Sequence, residues 1–401
     1  MVGQSPGPGS KAKSIFRLIR KQKKVSKQDL LDQCEMPVST LTRVLEELTT
    51  QGWIRETGLG ESTGGRRPIL YEVNPDYGYV LGMEISRLNA KLVLCDLQTN
   101  KLAERGWPMT AEATPQYVLQ RAVREIESML AERQISLAAV LGLGIGAVGP
   151  LDRQRGIILH PRYFQAPGWE NVDISRQLSE GLGIQVFLDN GANTAIRGEY
   201  WADPAREFKH LLYVHGGMGL RSAMMSDGKV VYGAVDMEGA VGQMIIQTDG
   251  RPHRESGGNY GSLESYTAIY ALEQEAASKL KQGRDSLLRA LAGSPEKVTF
   301  AHLVQALHKQ DALTIEIFTQ AATYFGIGLA NLLNILHPEK VILGGPLITA
   351  HDLFFQISTR VAVQKAYYYP EYQVMFSRGR LGEDAIASGA AVMAIDSLTE
   401  E

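Results

Sequence analysis

The order of strands and helices is written twice along this chain of 401 residues, and that repetition constrains the fold more than any single motif does. From Tyr79 to about Asp189, strand patterns are followed by an amphipathic helix, a buried strand, and a further helix and strand. The same order starts again at Leu211, with Lys229–Tyr232 as its third strand, and ends in a strand and a helix near Ala394. A β-β-β-α-β-α unit present twice predicts two α/β lobes that are related in topology but not in sequence.

The stretch from Pro37 to Gly52 precedes both repeats and has the pattern of a recognition helix. Its apolar residues recur at i, i+3, i+4 and i+7 and form a stripe that packs on a neighbour, namely Leu41, Val44, Leu45 and Leu48. The opposite face offers short hydroxyls and one arginine, which suit the base edges in a DNA major groove. We therefore expect DNA contacts from Ser39, Thr40, Thr42 and Arg43, the alternative being the solvated face of a small helical domain.

Two further helices precede this stretch. The first spans about residues 11–22, and we expect Ile15, Leu18 and Ile19 to face inward and its lysines and arginines to face outward. A second helix follows Ser26, a plausible N-cap with Asp29 in the position of a capping box. Pro37 then begins the third helix at its first helical position. Helix, short turn, helix is a DNA-binding arrangement.

A hairpin wing follows the three helices. The apolar period changes from 3.6 to 2 after Gly52, which predicts one strand from Trp53 and another from Ile69. The loop Gly58–Pro68 between them has glycines next to Arg66 and Arg67, so that its backbone can approach phosphates or a narrow minor groove. A solvated loop is the alternative. With the helices, the hairpin predicts a winged helix-turn-helix domain.

Charge is distributed unevenly along the chain. Residues 1–70 contain 12 Lys and Arg against 7 Asp and Glu, a net charge of +5, and since the whole chain carries −3 the remainder carries −8. A basic head is typical of a phosphate-binding module.

Two cysteines, Cys34 and Cys95, support neither a disulfide framework nor a cysteine zinc site. Because no long apolar run or signal peptide is visible, we expect a cytoplasmic protein without membrane association.

These patterns divide the chain into four parts. We expect residues 1–10 to form a disordered leader and residues 11–74 the winged helix-turn-helix domain. Residues 75–200 form the first lobe. Residues 201–401 form the second lobe with the C-terminal helices. One of these helices can alternatively pack against the first lobe.

Seven segments resemble the ROK family (repressors, open reading frames and sugar kinases). They are GGRRP at 64–68, GLGIGAVGPLD at 142–152, APGWENVDI at 166–174, LDNGANTAIRGE at 188–199, GSLES at 261–265, VILGGPL at 341–347 and GAAVMA at 389–394. The resemblance implies an actin/hexokinase-like ATPase fold of two lobes, preceded here by the winged head. It also implies a sugar-type pocket between the lobes and homodimers or higher oligomers.

The chain departs from the family pattern where the family's kinases bind ATP and activate the sugar. The phosphate turn, DIGGT-like in the kinases, reads Glu84–Leu88 here without a glycine, and bulky side chains block such a cradle. The second phosphate loop, His215–Arg221, keeps only part of its glycine set. Gly191 stands where the family has the aspartate that acts as general base, and Asp189, as the last residue of a strand, is a poor substitute. We therefore expect no catalytic residue, no ATP and no enzyme.

The zinc and sugar positions are altered too. The GEIGH-like motif of the family reads Gly239–Gln243, with alanine for its glutamate and glutamine for its histidine. The CxCGxxGC cluster is represented by residues 253–262, which contain no cysteine, so we expect no zinc and treat His253 and Glu255 as part of an exposed polar loop. His215 is expected to be a structural or surface histidine rather than a ligand. The polar positions that remain for an effector are Asn190, Gln243 and Glu264.

Together these features predict a sequence-specific DNA-binding transcription regulator, in the simplest case a repressor of carbohydrate-related genes. Its sugar-kinase-like body is expected to bind a sugar or sugar-derived effector and to form dimers or tetramers. An effector then alters the spacing of two heads, so that they no longer match the half-sites of a palindromic operator about 34 Å apart. The alternatives are a regulator controlled by a protein partner or without a small-molecule effector, and, with three elements missing, a sugar kinase.

Overall fold

The structure, a computed structural model, describes residues 9–60, 67–203, 207–235, 239–254, 257–367 and 370–399. These residues form two units. The first comprises the described residues up to Thr194 together with those from Ile386 onward, and the second comprises those from Ala195 to Ala385. The head that binds DNA in the sequence-based prediction therefore belongs to the same unit as the first α/β sheet.

The N-terminal part of the first unit has the winged helix-turn-helix order that the sequence predicts. Its elements are α1 Ser10–Gln22, β1 Val25–Ser26, α2 Lys27–Leu31, α3 Val38–Thr50, β2 Ile54–Leu59 and β3 Ile69–Val73. The three strands form an antiparallel sheet in the order β1-β3-β2. The apolar stripe of α3 is buried in the same cluster as Ile15, Phe16 and Ile19 of α1, because a short three-helix domain has to share one core among all its helices.

Local chemistry accounts for the helix boundaries. Ser26 caps α2 through its side chain, which accepts the N–H of Asp29, and the Asp29 carboxylate accepts the N–H of Ser26. This confirms the predicted capping box. The position predicted for Pro37 is wrong by one residue. Pro37 is the N-cap of α3, with an extended ψ of 142°, and the helix begins at Val38.

The first unit continues as an α/β sheet. Its elements are β4 Tyr79–Ile85, β5 Asn89–Asp96, β6 Lys101–Pro108, α4 Pro115–Glu132, β7 Val140–Ala147, β8 Leu151–Asp152, β9 Ile157–Ile158, β10 Val172–Asp173, α5 Ile174–Leu182, β11 Gln185–Asn190 and the start of α6 Gly191–Ala202. The main sheet has the order β11-β7-β4-β5-β6. Strands β11, β7 and β4 run parallel, so that Ile85, Ala147 and Asn190 align at their carboxyl ends.

The second unit repeats this topology. Its elements after α6 are β12 His210–Gly216, β13 Leu220–Ser226, β14 Lys229–Val230, α7 Glu264–Thr267, α8 Ile269–Lys281, α9 Leu288–Ala292, α10 Phe300–His308, α11 Ala312–Leu336, β15 Lys340–Gly344, α12 Pro346–Thr349, α13 Asp352–Lys365 and β16 Met375–Ser377, and the last helix is α14 Ala385–Thr399. Its sheet has the order β14-β13-β12-β15-β16. Read from the other edge, as β16-β15-β12-β13-β14, this order corresponds strand by strand to β11-β7-β4-β5-β6 of the first sheet. The predicted duplication is therefore confirmed, with a correction at the third strand. That strand is shorter than predicted, because its pairing with β13 stops near Val231 and leaves Val231 and Tyr232 exposed.

Helix α14 lies directly on the sheet of the first unit and extends to Thr399, beyond the predicted end near Ala394. Two glycines permit this close approach. A Cβ atom added at Gly82 in β4 would lie 1.9 Å from the carbonyl oxygen of Ala387, and one added at Gly144 in β7 would lie 1.9 Å from that of Ala390. Real Cβ atoms do not approach so closely, and glycine is the residue that lets two backbones meet.

Candidate nucleic-acid interface and effector site

The exposed face of α3 carries the side chains that the sequence proposed as DNA contacts. Ser39 and Arg43 are exposed, and Thr40 and Thr42 are half-buried. The described residues provide no hydrogen-bond or ion-pair partner for Arg43, whose guanidinium therefore keeps its donors for a ligand such as a guanine edge. Arg67 is also exposed, next to the start of β3, whereas Arg66 lies outside the described residues.

Two further residues on this face were missed at the sequence level. The Nζ of Lys27, the first residue of α2, donates to the hydroxyl of Thr42 at 2.5 Å, and that hydroxyl donates to the Val38 carbonyl at 2.7 Å. Lys27 thus brings a positive charge to the side of α3. Val38 is 57% exposed although its spacing fits the apolar stripe, because it stands in the first turn of the helix. An exposed valine there can contact a thymine methyl group.

The outward orientation predicted for the basic residues of α1 is wrong for Arg20. Lys11 and Lys21 are exposed as expected, but Arg20 is 5% exposed and its Nη1 lies 2.6 Å from Asp396 Oδ1 of α14. Arg17 also points to α14, where it donates to the carbonyl of Thr399. Sequence reasoning missed this because the partners follow more than 370 residues later, at a separation of 376 for Arg20.

In the second unit, Gln243 and Glu264 come together with a third residue, His253. Gln243 Nε2 lies 3.2 Å from His253 Nε2, which lies 3.6 Å from Glu264 Oε1. The other carboxylate oxygen of Glu264 accepts the N–H of Leu220 at 3.0 Å. An amide, an imidazole and a carboxylate in one place are the groups that proteins use to bind sugar hydroxyls.

The prediction of an exposed loop is wrong for His253, whose side chain is only 4% exposed. Its ring turns toward Gln243 and Glu264 because these offer polar partners beneath the loop. Glu255 lies outside the described residues. The position of His253 in the sequence is a signal for its inward orientation, because His253 is the first residue of the segment that replaces the family's thiolate cluster.

The donor set of this region does not fit a structural zinc ion. The described residues contain no group of three or more His, Cys, Asp and Glu able to hold a metal. Ser262, in the same segment, hydrogen-bonds through its hydroxyl to Ser265 at 2.8 Å, and Gln243 offers only a neutral amide. Tetrahedral zinc sites instead use cysteine thiolates and histidines.

Asn190 and Asp189 lie at the carboxyl end of β11 in the first unit. The Asn190 side chain accepts the N–H of Ala192 in the first turn of α6. Asp189 is 2% exposed, and its Oδ1 accepts both the N–H of Asn190 at 2.7 Å and the amide of Asn193 at 2.9 Å. Both hydrogen bonds use the same carboxylate oxygen, so Asp189 is held in place by the backbone and by Asn193.

The turn after β4 is occupied by side-chain contacts. Ser86 donates to the carbonyl of Asn89, and Arg87 Nε donates to the carbonyl of Arg162 at 2.8 Å. The guanidinium of Arg87 also lies over the ring of Tyr163, 5.8 Å from its centroid. Glycine-rich phosphate cradles work by presenting bare backbone N–H groups, and this turn does not have that form.

The chain has a winged helix-turn-helix head and two α/β sheets with the same strand order. These features define a class of proteins in which a DNA-binding head is attached to a sugar-kinase-type body. The model of the ROK family matches residues 80–397. This chain belongs to the ROK family.

Named relatives of the chain include regulators. It is 26% identical over 384 residues to the xylose repressor of Caldicellulosiruptor bescii, covering 96% of this chain and 95% of that protein. It is 24% identical over 337 residues to the DNA-binding transcriptional dual regulator NagC of Escherichia coli K12, covering 84% and 80%. A solved ROK family transcriptional regulator, a homolog of the E. coli MLC protein, has the same fold with a TM-score of 0.80 at 21% identity, covering 97% and 96%. In the part of the chain that the structure describes, no helix is long and apolar enough to cross a membrane.

Proposed function

We propose that this protein is a sequence-specific DNA-binding transcription regulator that represses carbohydrate-related genes. The observation that carries the proposal is the exposed face of α3, where Arg43 has no partner among the described residues and stands beside Ser39 and Thr42. A recognition helix in the major groove reads bases with such side chains, and arginine bonds guanine bidentately. The named relatives, a xylose repressor and a dual regulator, support the same role.

The body acts by binding rather than by catalysis. Gly191 provides no proton acceptor, and Asp189 is held by two N–H donors. We propose that the body works without ATP or zinc and takes a sugar or sugar derivative as effector. Gln243, His253 and Glu264 of the second unit are the proposed contacts. Asn190, in the first unit, stays a separate prediction.

The regulator is proposed to act in the cytoplasm as a homodimer or tetramer on a palindromic operator. Two heads then bind two half-sites, and an effector that changes the heads' spacing weakens binding to the pair. Thermodynamic linkage requires the reverse effect too: the operator must lower the affinity for that effector by the same factor.

The proposal is tested by selecting duplexes from a random-sequence pool with the full chain, then screening sugars by thermal shift. We expect a recurring motif with two half-sites. At 100 times its Kd, a true effector stabilises the native state by about 2.7 kcal/mol. If no motif is enriched and the affinity for DNA depends on the salt concentration but not on the DNA sequence, the protein is not a sequence-specific regulator. Phosphoryl transfer from ATP to a hexose would instead identify a kinase, and a motif without any stabilising sugar would point to control by a protein partner.

A further inference from the structure

A buried ion pair links the first helix of the head to the last helix of the chain. Arg20 Nη1 and Asp396 Oδ1 are 2.6 Å apart, and their side chains are only 3% and 17% exposed. Burial lowers the pKa of Arg20, and the charge and hydrogen bond of Asp396 oppose that shift. Removing one partner from such a pair leaves an uncompensated buried charge, which strongly destabilises the folded state.

The neighbouring arginine forms a second link of a different kind. Arg17 donates from Nε at 3.1 Å and from Nη2 at 3.0 Å to the carbonyl oxygen of Thr399, at the end of α14. The last carbonyls of a helix have no partner within the helix, and a cation at this end interacts favourably with the helix dipole. Arg17 therefore caps α14 from the head.

Apolar packing completes the connection. Ile15, Phe16 and Ile19 of α1 share one buried cluster with Ala387, Ala391 and Ile395 of α14 and with the apolar stripe of α3. Since Gly82 and Gly144 bring α14 into backbone contact with β4 and β7, packing is continuous from the sheet through α14 to α1.

We propose that Arg17 and Arg20 are positioning residues, which hold the DNA-binding head on α14 of the body instead of contacting DNA. This inference rests on the proposed function for its consequence, because the orientation of α3 decides whether two heads match two half-sites. The place of both arginines in a basic helix suggests phosphate contact. The Arg20 guanidinium, however, is 3% exposed and paired with a carboxylate, so it is not available to a phosphate. Arg17 is half-buried, and two of its donors are used by the Thr399 carbonyl. A displacement of α14 on the sheet would carry α1, and with it α3.

The test uses the full chain and a matched pair of adjacent residues, Arg20→Met and Lys21→Met. Lys21 is exposed on the same helix. Affinity for a random-sequence duplex is measured against salt concentration. Losing one phosphate contact reduces the slope by about 0.9. We expect Arg20→Met to leave the slope unchanged and Lys21→Met to reduce it. A reduction of about 0.9 for Arg20→Met would show that Arg20 contacts DNA and would overturn the proposal.

A second measurement is independent of DNA. Hydrogen exchange of the α1 and α14 amides should rise at least tenfold in Arg20→Met and in Asp396→Leu, and should return toward the wild-type rate in the double variant, because an apolar pair replaces a buried ion pair well. Unchanged exchange in both single variants would refute the link even if DNA binding is confirmed. If DNA binding fails altogether, hydrogen exchange still decides this inference. Arg20→Lys is used instead of Arg20→Met if Arg20→Met does not fold.

A third readout separates positioning from general stability. At a temperature where all variants are folded, Arg20→Met should lower affinity for a selected duplex with two half-sites about tenfold or more, while affinity for a single half-site stays within twofold. An equal loss on both duplexes would contradict a positioning role.

Discussion

Gln243 Nε2 and His253 Nε2 lie 3.2 Å apart, and the same imidazole nitrogen lies 3.6 Å from Glu264 Oε1. The three side chains come from a short 3-10 turn, a loop and the start of α7, so that hydrogen bonding here holds separate segments together. The segment in which the family pattern has metal-binding thiolates is, in the described residues, tied by side-chain hydrogen bonds.

His253→Ala is expected to weaken effector binding at least tenfold. The substitution removes one of the three polar side chains proposed to bind the effector, and a buried polar group that loses its hydrogen-bond partner typically costs about 1 to 3 kcal/mol. Thermal shift with the sugar found by screening measures the effect. His308→Ala, at an exposed histidine of α10, is the matched control. Equal shifts for the two variants would exclude His253 from the site.

Arg43→Ala is expected to relax sequence preference at one base pair and to cost about 1 to 3 kcal/mol on the preferred duplex. The reason is that a bidentate contact to one base edge is lost while phosphate contacts remain. Competition with single-base-pair variants of the selected duplex measures this. Lys21→Ala should instead weaken binding to all duplexes alike. A uniform loss for Arg43→Ala would reassign Arg43 to the DNA backbone.

Gly82→Ala is expected to destabilise the first unit by about 1 to 3 kcal/mol, the usual cost of overpacking, because the added Cβ meets the carbonyl of Ala387 at 1.9 Å. Gly106→Ala on β6 is the control, since its Cβ would find its nearest neighbour at 3.8 Å. Urea unfolding of both variants checks the difference. Equal midpoints would show that α14 does not lie on β4 so closely.

Glu199→Gln is expected to change how stability depends on pH. Burial raises the pKa of Glu199 above 4.5, opposed by hydrogen bonds from the N–H groups of Arg380 and Leu381 and by nearby cations. Because the folded chain holds this proton more tightly than the unfolded chain, the stabilisation is full below pH 4.5 and is lost as pH rises through the folded pKa.

Each unit of pKa shift corresponds to about 1.4 kcal/mol. The free energy of unfolding of the wild type should therefore fall relative to that of Glu199→Gln as the pH rises above 4.5, as measured by urea unfolding at several pH values. Parallel curves for the two proteins would show that Glu199 titrates normally.

Local pattern was sufficient to predict the winged head and the repeated strand order. The stripe Leu41, Val44, Leu45 and Leu48 determines which face of α3 is buried. The nearly continuous apolar runs of β4 and β5, which are buried along most of their length, likewise require no distant information. The capping box at Ser26 is also complete within four residues.

The features that the sequence did not predict depend on contacts between segments that lie far apart along the chain. Arg20 looked like an exposed cation because arginines are mostly exposed in proteins, yet its partner is 376 residues away. The same holds for Gly82, whose lack of a side chain is explained by the backbone of α14 at Ala387 and Ala391, about 300 residues later in the chain. His253 shows a related limit, since a polar loop gives no local signal that one ring turns inward.

The most direct measurement of the central claim is fluorescence polarisation of the full chain with a selected duplex and an unselected duplex of equal length at about 150 mM salt. A sequence-specific regulator is expected to bind the selected duplex about 1,000-fold or more tightly, as specific sites generally compare with non-specific DNA. Equal affinities for the two duplexes, both falling steeply with salt, would contradict recognition by α3.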